Sequence, residues 1–162
     1  QNITRVECYD ISNFAGKEAV GAMTALIKKD GIWQPDKNSY RKFKIKSLPA
    51  GRQARRGLDD ARAIYEVVSR RLRHPEWPYP DLIIIDGGLT QYRAALKAQS
   101  EVLEAKNIKI TAYPKPQKIL LGWPDAPEEI KKLAERAIYQ THNFVIRYHR
   151  QTRNKALFDI MG

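Results

Sequence analysis

Two aspartates stand where the chain could do chemistry. Asp10 ends the strand-like run Arg5-Val6-Glu7-Cys8-Tyr9-Asp10, and Asp86 follows the wholly apolar run Leu82-Ile83-Ile84-Ile85 and opens Asp86-Gly87-Gly88. A carboxylate where a buried strand runs out, with no cation beside it in sequence, is costly unless something such as a metal ion pairs with it. Taken singly, each has an ordinary reading: Asp86 as a turn residue before two glycines, Asp10 as the first residue of a loop. The last helical segment adds His142 and His149. They are separated by about 10.5 Å along a helix axis, so the two cannot share one ion. His142 falls at the edge of the apolar stripe formed by Ile138, Thr141 and Val145, where a histidine is either structural or faces a cleft.

Charge narrows the partners. The 162 residues carry 29 Lys and Arg against 18 Asp and Glu, a net charge of +11, which favours a polyanion, either nucleic acid or an anionic membrane surface. Between Arg41 and Arg73 there are 11 basic residues and only Asp59, Asp60 and Glu66 on the acidic side. A second basic cluster comprises Arg147, Arg150, Arg153 and Lys155. No run approaches the ~18 apolar residues of a spanning helix, and the first residues do not form a signal-peptide pattern, so the simpler expectation is a cytosolic nucleic-acid protein with no membrane partner. The lone Cys8 has no intramolecular disulfide partner and shares a strand face with Val6, as a small core residue would.

The elements that must position these residues can be read along the chain. Residues 4–11 and 19–27 read as consecutive strands, joined through Ser12 to Gly16. Residues 39–47 alternate Tyr40, Lys42, Lys44 and Lys46 against Arg41, Phe43 and Ile45, which predicts a third strand with one basic face. Residues 48–57 are small, basic and bounded by Pro49 and Gly57, an exposed loop. Asp59 or Asp60 then caps a helix running to about Arg73, ended by Pro75, Pro78 and Pro80. The all-apolar 82–85 strand after a helix argues for a parallel crossover, with Asp86 at the carboxyl end of the strand, where ligands gather in open α/β sheets. A helix over 90–106, a strand over 108–112 and a long helix from Pro127 complete the order β-β-β-α-β-α-β-α. One domain with a mixed five-stranded sheet and flanking helices is the expected α/β fold, and the unmarked ends of the chain suggest excision from a longer multidomain protein.

Several motifs in order carry a resemblance. Val6-Glu7-Cys8-Tyr9-Asp10-Ile11-Ser12-Asn13 with Gly16, Val20-Gly21-Ala22, Tyr40-Arg41-Lys42-Phe43, Pro80 through Gly88, and His142-Asn143-Phe144 followed by Tyr148-His149-Arg150 resemble the carboxyl-terminal endonuclease domain of the UvrC family. The resemblance implies a ribonuclease H-like fold, which agrees with the order of elements above. It also implies an excision-repair endonuclease making the 5′ incision at damaged double-stranded DNA in the bacterial cytoplasm. Asp10, Asp86 and His142 would be the catalytic and metal-binding constellation, served by Mg²⁺ or Mn²⁺, with His142 a ligand or a general acid or base. Asp60 matches an acidic position that supports the site, although an N-cap is its simpler role. Arg41, Lys42, Lys44, Arg147, Arg150 and Arg153 are candidates for phosphate contacts, and Tyr9, Tyr40 and Phe43 for base stacking or packing. The loading partner UvrB would bind through parts of the parent protein, and the isolated domain is expected to be monomeric. Residues 48–57 read as an insertion relative to the family pattern, and the connection from Tyr113 to Asp125, with Lys115 between two prolines, as a shortened segment. The alternatives are a related nuclease with another substrate, which the histidine in place of a further acid disfavours, and a non-catalytic DNA-binding module.

Overall fold

A computed structural model describes the fold over residues 2–13, 19–47 and 58–161. The predicted loop at 48–57 and residues 14–16 of the first connection lie outside the described residues. A mixed sheet forms the centre, made of β1 (Arg5–Ser12), β2 (Val20–Lys29), β3 (Ile32–Pro35), β4 (Arg41–Lys44), β5 (Leu82–Ile85) and β6 (Lys109–Ala112). The helices are α1 (Leu58–Leu72), α2 (Leu89–Ser100) and α3 (Glu128–Met161).

Across the sheet the order is β3-β2-β1-β5-β6, with β4 also on β2. The expected five positions are therefore present, but the outer one is filled by two short strands, giving six. β3 pairs with the end of β2 (Leu26 opposite Pro35), and β4 with its beginning (Met23 opposite Arg41). The single strand expected over 39–47 is thus confined to Arg41–Lys44, and Lys37–Ser39 forms a 3₁₀ turn that interrupts the edge. Asp36 holds that turn, its Oδ2 accepting bonds from Ser39 Oγ at 2.6 Å and Arg5 Nη1 at 3.1 Å.

The strands alternate between two cores, as a period of two requires. Tyr9, Met23, Phe43, Ile83 and Ile85 face α1 and α2, where Ile64, Val67, Val68, Leu72, Ala95 and Ala98 are buried. Val6, Cys8, Leu26, Leu82 and Ile84 face α3, meeting Leu133, Ala134, Ala137 and Ile138. All four residues of β5 are buried, the doubly covered central strand its sequence indicates. Gly21 lets α1 approach β2 closely: a Cβ there would run into Val67.

Two helix boundaries differ from expectation. α2 stops at Ser100, and Leu103–Ala105 forms a separate 3₁₀ turn, because Gln99 Nε2 turns back to donate to the carbonyls of Ala105 (2.9 Å) and Ile108 (2.6 Å). Asp59 and Asp60 lie inside the first turn of α1 rather than capping it from outside, a position where acids still complement the helix dipole.

Candidate active site

β1 runs parallel to β5 in a register that sets Tyr9 opposite Ile85, and the ladder closes with Asp86 N donating to Tyr9 O at 3.0 Å. Asp10 and Asp86 are thereby brought to neighbouring positions just past the last paired residues. β1 itself continues to Ser12, because β2 still pairs with it there (Ser12 opposite Val20). Asp10 therefore ends the β1–β5 ladder rather than the strand, and a notch opens where β5 stops. By strand alternation both carboxylates project on the α3 side, the face of Cys8 and Ile84.

The electrostatics of the notch are unbalanced. Burial, reinforced by the charge of Asp86 and more weakly of Asp60, pushes the Asp10 carboxyl up to about 7. Burial also raises that of Asp86, against the opposing pull of Lys115 and His142. Lys115 lowers both, so one cation serves two acids. It lies in the connection between β6 and α3, at a cis Lys115–Pro116 bond. A cavity of about 360 Å³ between this connection and α3 is lined by Lys115 together with His142, Tyr139 and Glu135. Tyr113, on its floor, donates to Glu135 Oε1 at 2.8 Å.

The sequence-derived residues fall into three groups. Asp10 and Asp86 meet at the notch, His142, exposed on α3, is within electrostatic reach of Asp86, and Asp60 is within electrostatic reach of Asp10. Lys42, Lys44 and the α3 residues Arg147, Arg150 and Arg153 are all at least partly exposed, and Lys42 and Arg147 line one cleft against α3. Arg41 is set apart. It points to the α1 side of the sheet, with its guanidinium 4.6 Å from the Trp77 ring centre and bonded to the carbonyls of Asn38 and Tyr40. Of the aromatics, Tyr9 and Phe43 are core residues, whereas Tyr40 remains at the surface cleft. His149 is bonded through Nε2 to Ser12 Oγ at 2.5 Å, tying α3 to the end of β1. Cys8 is buried beside Thr141, and burial holds its thiol far above the ordinary range, the setting of a core thiol.

Among the described residues no three His, Cys, Asp or Glu side chains stand close enough to enclose an ion, so the expected three-ligand cluster is not preformed. Two neighbouring, mutually repelling carboxylates nevertheless fit a hard divalent cation. Mg²⁺ in particular is commonly held by one or two carboxylates, with water and substrate phosphate completing its octahedron. Lys115 is the residue that sequence reading passed over. Its position between two prolines marks it, but its distance from Asp10 in sequence conceals the approach.

The family model described as the UvrC RNase H endonuclease domain matches residues 1–157. The chain belongs to that family. It is thus an endonuclease domain, and its mixed α/β sheet is the ribonuclease H-like fold of the family description. UvrABC system protein C of Caldicellulosiruptor saccharolyticus is 36% identical over 98% of this chain and 26% of its own length. The protein of the same name from Bdellovibrio bacteriovorus is 34% identical, over 92% of this chain and 25% of that protein. The chain thus spans about a quarter of the length of these relatives. Among solved structures, Thermus thermophilus RuvC aligns over 82% of this chain and 78% of its own, with 16% identity and a TM-score of 0.37. Human ENDOV aligns over 68% and 46%, with 13% identity and a TM-score of 0.37.

Proposed function

We propose that this domain is the metal-dependent nuclease that makes the 5′ incision at damaged double-stranded DNA in nucleotide excision repair, as a single module of a longer protein. The observation that carries the reading is the pairing of Asp10 with Asp86 at the end of the β1–β5 ladder, two acids held together against their mutual repulsion. Active sites are where such costly arrangements are retained.

Asp10 and Asp86 would hold Mg²⁺ or Mn²⁺, which when bound polarises the scissile phosphate and acidifies water for attack. The protein's own residues do the rest. Lys115, already beside both acids, meets the non-bridging oxygens of the incoming phosphate as a positive charge. His142, on the open side of the same cavity, takes a proton from the attacking water or returns one to the leaving oxygen, or completes the ligand set when DNA closes over the notch. Asp60 supports Asp10 from the start of α1. α2 begins at Leu89, three residues past Asp86, so its amino-terminal dipole adds positive potential at the mouth of the notch. Lys42, Lys44, Arg147, Arg150 and Arg153 neutralise backbone phosphates along the α3 side. UvrB would reach the domain through the parent protein, which acts in the bacterial cytoplasm, and the isolated domain would be a monomer.

The test is nicking of an end-labelled lesion-bearing duplex by the parent chain with its loading partners, in Mg²⁺ and in Mn²⁺. Wild type is compared with Asp10→Asn and Asp86→Asn after each variant is shown to be folded. Each variant is expected to lose the 5′ cut by at least a thousandfold while retaining DNA binding. Unchanged cutting by either would replace the nuclease reading with that of a binding module.

A further inference from the structure

On the face of the sheet that carries Asp10, a second cavity opens that the cutting chemistry does not use. It has a volume of about 570 Å³ and lies between the interrupted edge strand and α3. This is the size of a small-ligand site. Its walls combine three kinds of group. Lys42 and Arg147 supply positive charge, Tyr40, Phe144 and Tyr148 supply rings, and Gln140 supplies an amide. No acidic side chain lines it among the described residues.

The rings and Lys42 are held in place. Tyr40 and Phe144 meet edge to face, their centres 5.1 Å apart. The Lys42 ammonium sits 4.2 Å from the Tyr148 ring centre and 5.6 Å from that of Phe144, pinned at the rim of the aromatic wall. Gln140 also lines the cavity; its Oε1 is turned away from solvent and has no hydrogen-bond partner among the described residues, so no protein bond holds the amide in that orientation. Cations, stackable rings and an amide that no protein bond locks are respectively what a phosphate, a base face and a base edge require.

Position relates the cavity to the notch. Asp10 pairs with Ala22, and Ala22 with Lys42, so two ladder steps separate the acid from the lysine. At about 4.8 Å per step this is about 10 Å, a span that a few nucleotides cover. The Ser12–His149 link lies two residues further along β1, in the row where Ser12 faces Val20 and Val20 faces Lys44.

We infer that this cavity takes one unpaired nucleotide of the substrate strand, stacked against Phe144 with its edge on Gln140 and its phosphate on Lys42 and Arg147. The inference rests on the nucleic-acid reading above and adds to it a demand for a nucleotide out of its stack. It assigns work to Tyr40, Phe144 and Gln140, which have no part in cutting.

Binding in EDTA tests it without cleavage. Three labelled duplexes are compared: fully paired, with one extrahelical nucleotide, and with one extrahelical abasic sugar. Wild type is expected to bind the extrahelical nucleotide roughly tenfold more tightly than the paired duplex, the usual worth of one stacked base, and the abasic bulge no more tightly than the paired one. Phe144→Leu should bring the tenfold ratio close to one with the paired-duplex Kd unchanged, and Gln140→Ala should lower it about threefold. A wild-type ratio of one, equal binding of the base and abasic bulges, or a ratio that survives in folded Phe144→Leu would overturn the inference. Should Phe144→Leu not fold, Gln140→Ala decides alone. Because no divalent cation is present, loss of this preference and loss of metal-dependent nicking are separate outcomes, and either reading can fail without the other.

Discussion

β1 carries two acids three residues apart, and the sheet treats them in opposite ways. Glu7 is wholly buried on the α1 side, where Arg71 grips it through two bonds, Nε to Oε1 at 2.8 Å and Nη2 to Oε2 at 2.9 Å. Arg5 adds a bond at 3.0 Å and the Tyr9 hydroxyl another at 2.6 Å. Arg71 in turn donates to the carbonyls of His74 and Pro78, so neither charge is left uncompensated. Asp10, on the other face, has another acid for a neighbour and Lys115 as a weak counterweight. The same strand thus holds one carboxylate whose partners are all built in and one with no such set of partners among the described residues, which is what the proposed cation site asks for. A buried acid alone is no mark of function; two acids side by side with one shared cation are what marks Asp10 and Asp86 as a candidate site.

The contrast can be broken at either end. The largest stability effect should come from Glu7→Ala, which strands Arg71 as an unpaired buried charge and should cost about 3–5 kcal/mol, read as a drop in the chemical denaturation midpoint. Simultaneous replacement of Glu7 and Arg71 by apolar residues of similar volume should recover most of that loss.

Asp10→Asn should act in the opposite sense. The folded-state value of Asp10, about 7, lies above its ordinary 3.8, so its contribution to stability is present in full below about pH 4 and is lost as pH rises through about 7. In EDTA at pH 8 the asparagine variant should therefore be more stable than wild type, by on the order of 2 kcal/mol. The gain should shrink towards pH 5 and on adding Mg²⁺ or Mn²⁺. Thermal unfolding across that pH range measures it, and a variant less stable than wild type at pH 8 would refute the uncompensated-acid picture.

Lys115→Ala should sharpen the comparison with a smaller change. Removing a cation that acts on both acids should tighten divalent-ion binding about two- to threefold at low salt, an effect that fades as ionic strength rises, while slowing cutting. Calorimetric titration with Mn²⁺ reads the first and single-turnover nicking the second. The smallest effect is expected from Arg41→Ala: with its guanidinium over Trp77 on the far side of the sheet, it should leave the salt dependence of DNA binding within error, whereas Lys42→Ala should lower the log–log slope by about one.

How much of this was legible in the sequence follows the range of the interactions. The fold class, the buried β5 and the α3 stripe follow from local periodicity and the parallel-crossover rule, whereas the meeting of Asp10 with Asp86 was implied by the family resemblance and no local pattern gives it. The edge strand was misjudged because alternation from Tyr40 to Lys46 reads the same whether or not β2 supplies a partner for every residue. Asp59 and Asp60 looked like caps because their types suit both sides of a helix start. Arg41 was grouped with Lys42 by adjacency, although neighbours in a strand point to opposite faces. Lys115, the Glu7–Arg71 pair and the Gln140–Phe144 cavity depend on contacts between segments distant in sequence, and no local pattern announces them. Gln140 and Phe144, four apart on a helix, would have shown only that they share a side.

The divided edge strand has one more consequence. A sheet margin with a long row of open amides invites a second chain to add to it, the route to fibrils and swapped dimers. Here the margin beside β2 is two four-residue pieces separated by a turn, with Pro35 at the end of one and Lys42 and Lys44 projecting from the other, while β6 at the opposite margin is also four residues long and is closed at Ala112 by a bridge to Leu121. Among the described residues neither side offers a long template for another copy to extend: brevity, charge and a missing amide are the devices by which sheet margins discourage edge-to-edge pairing.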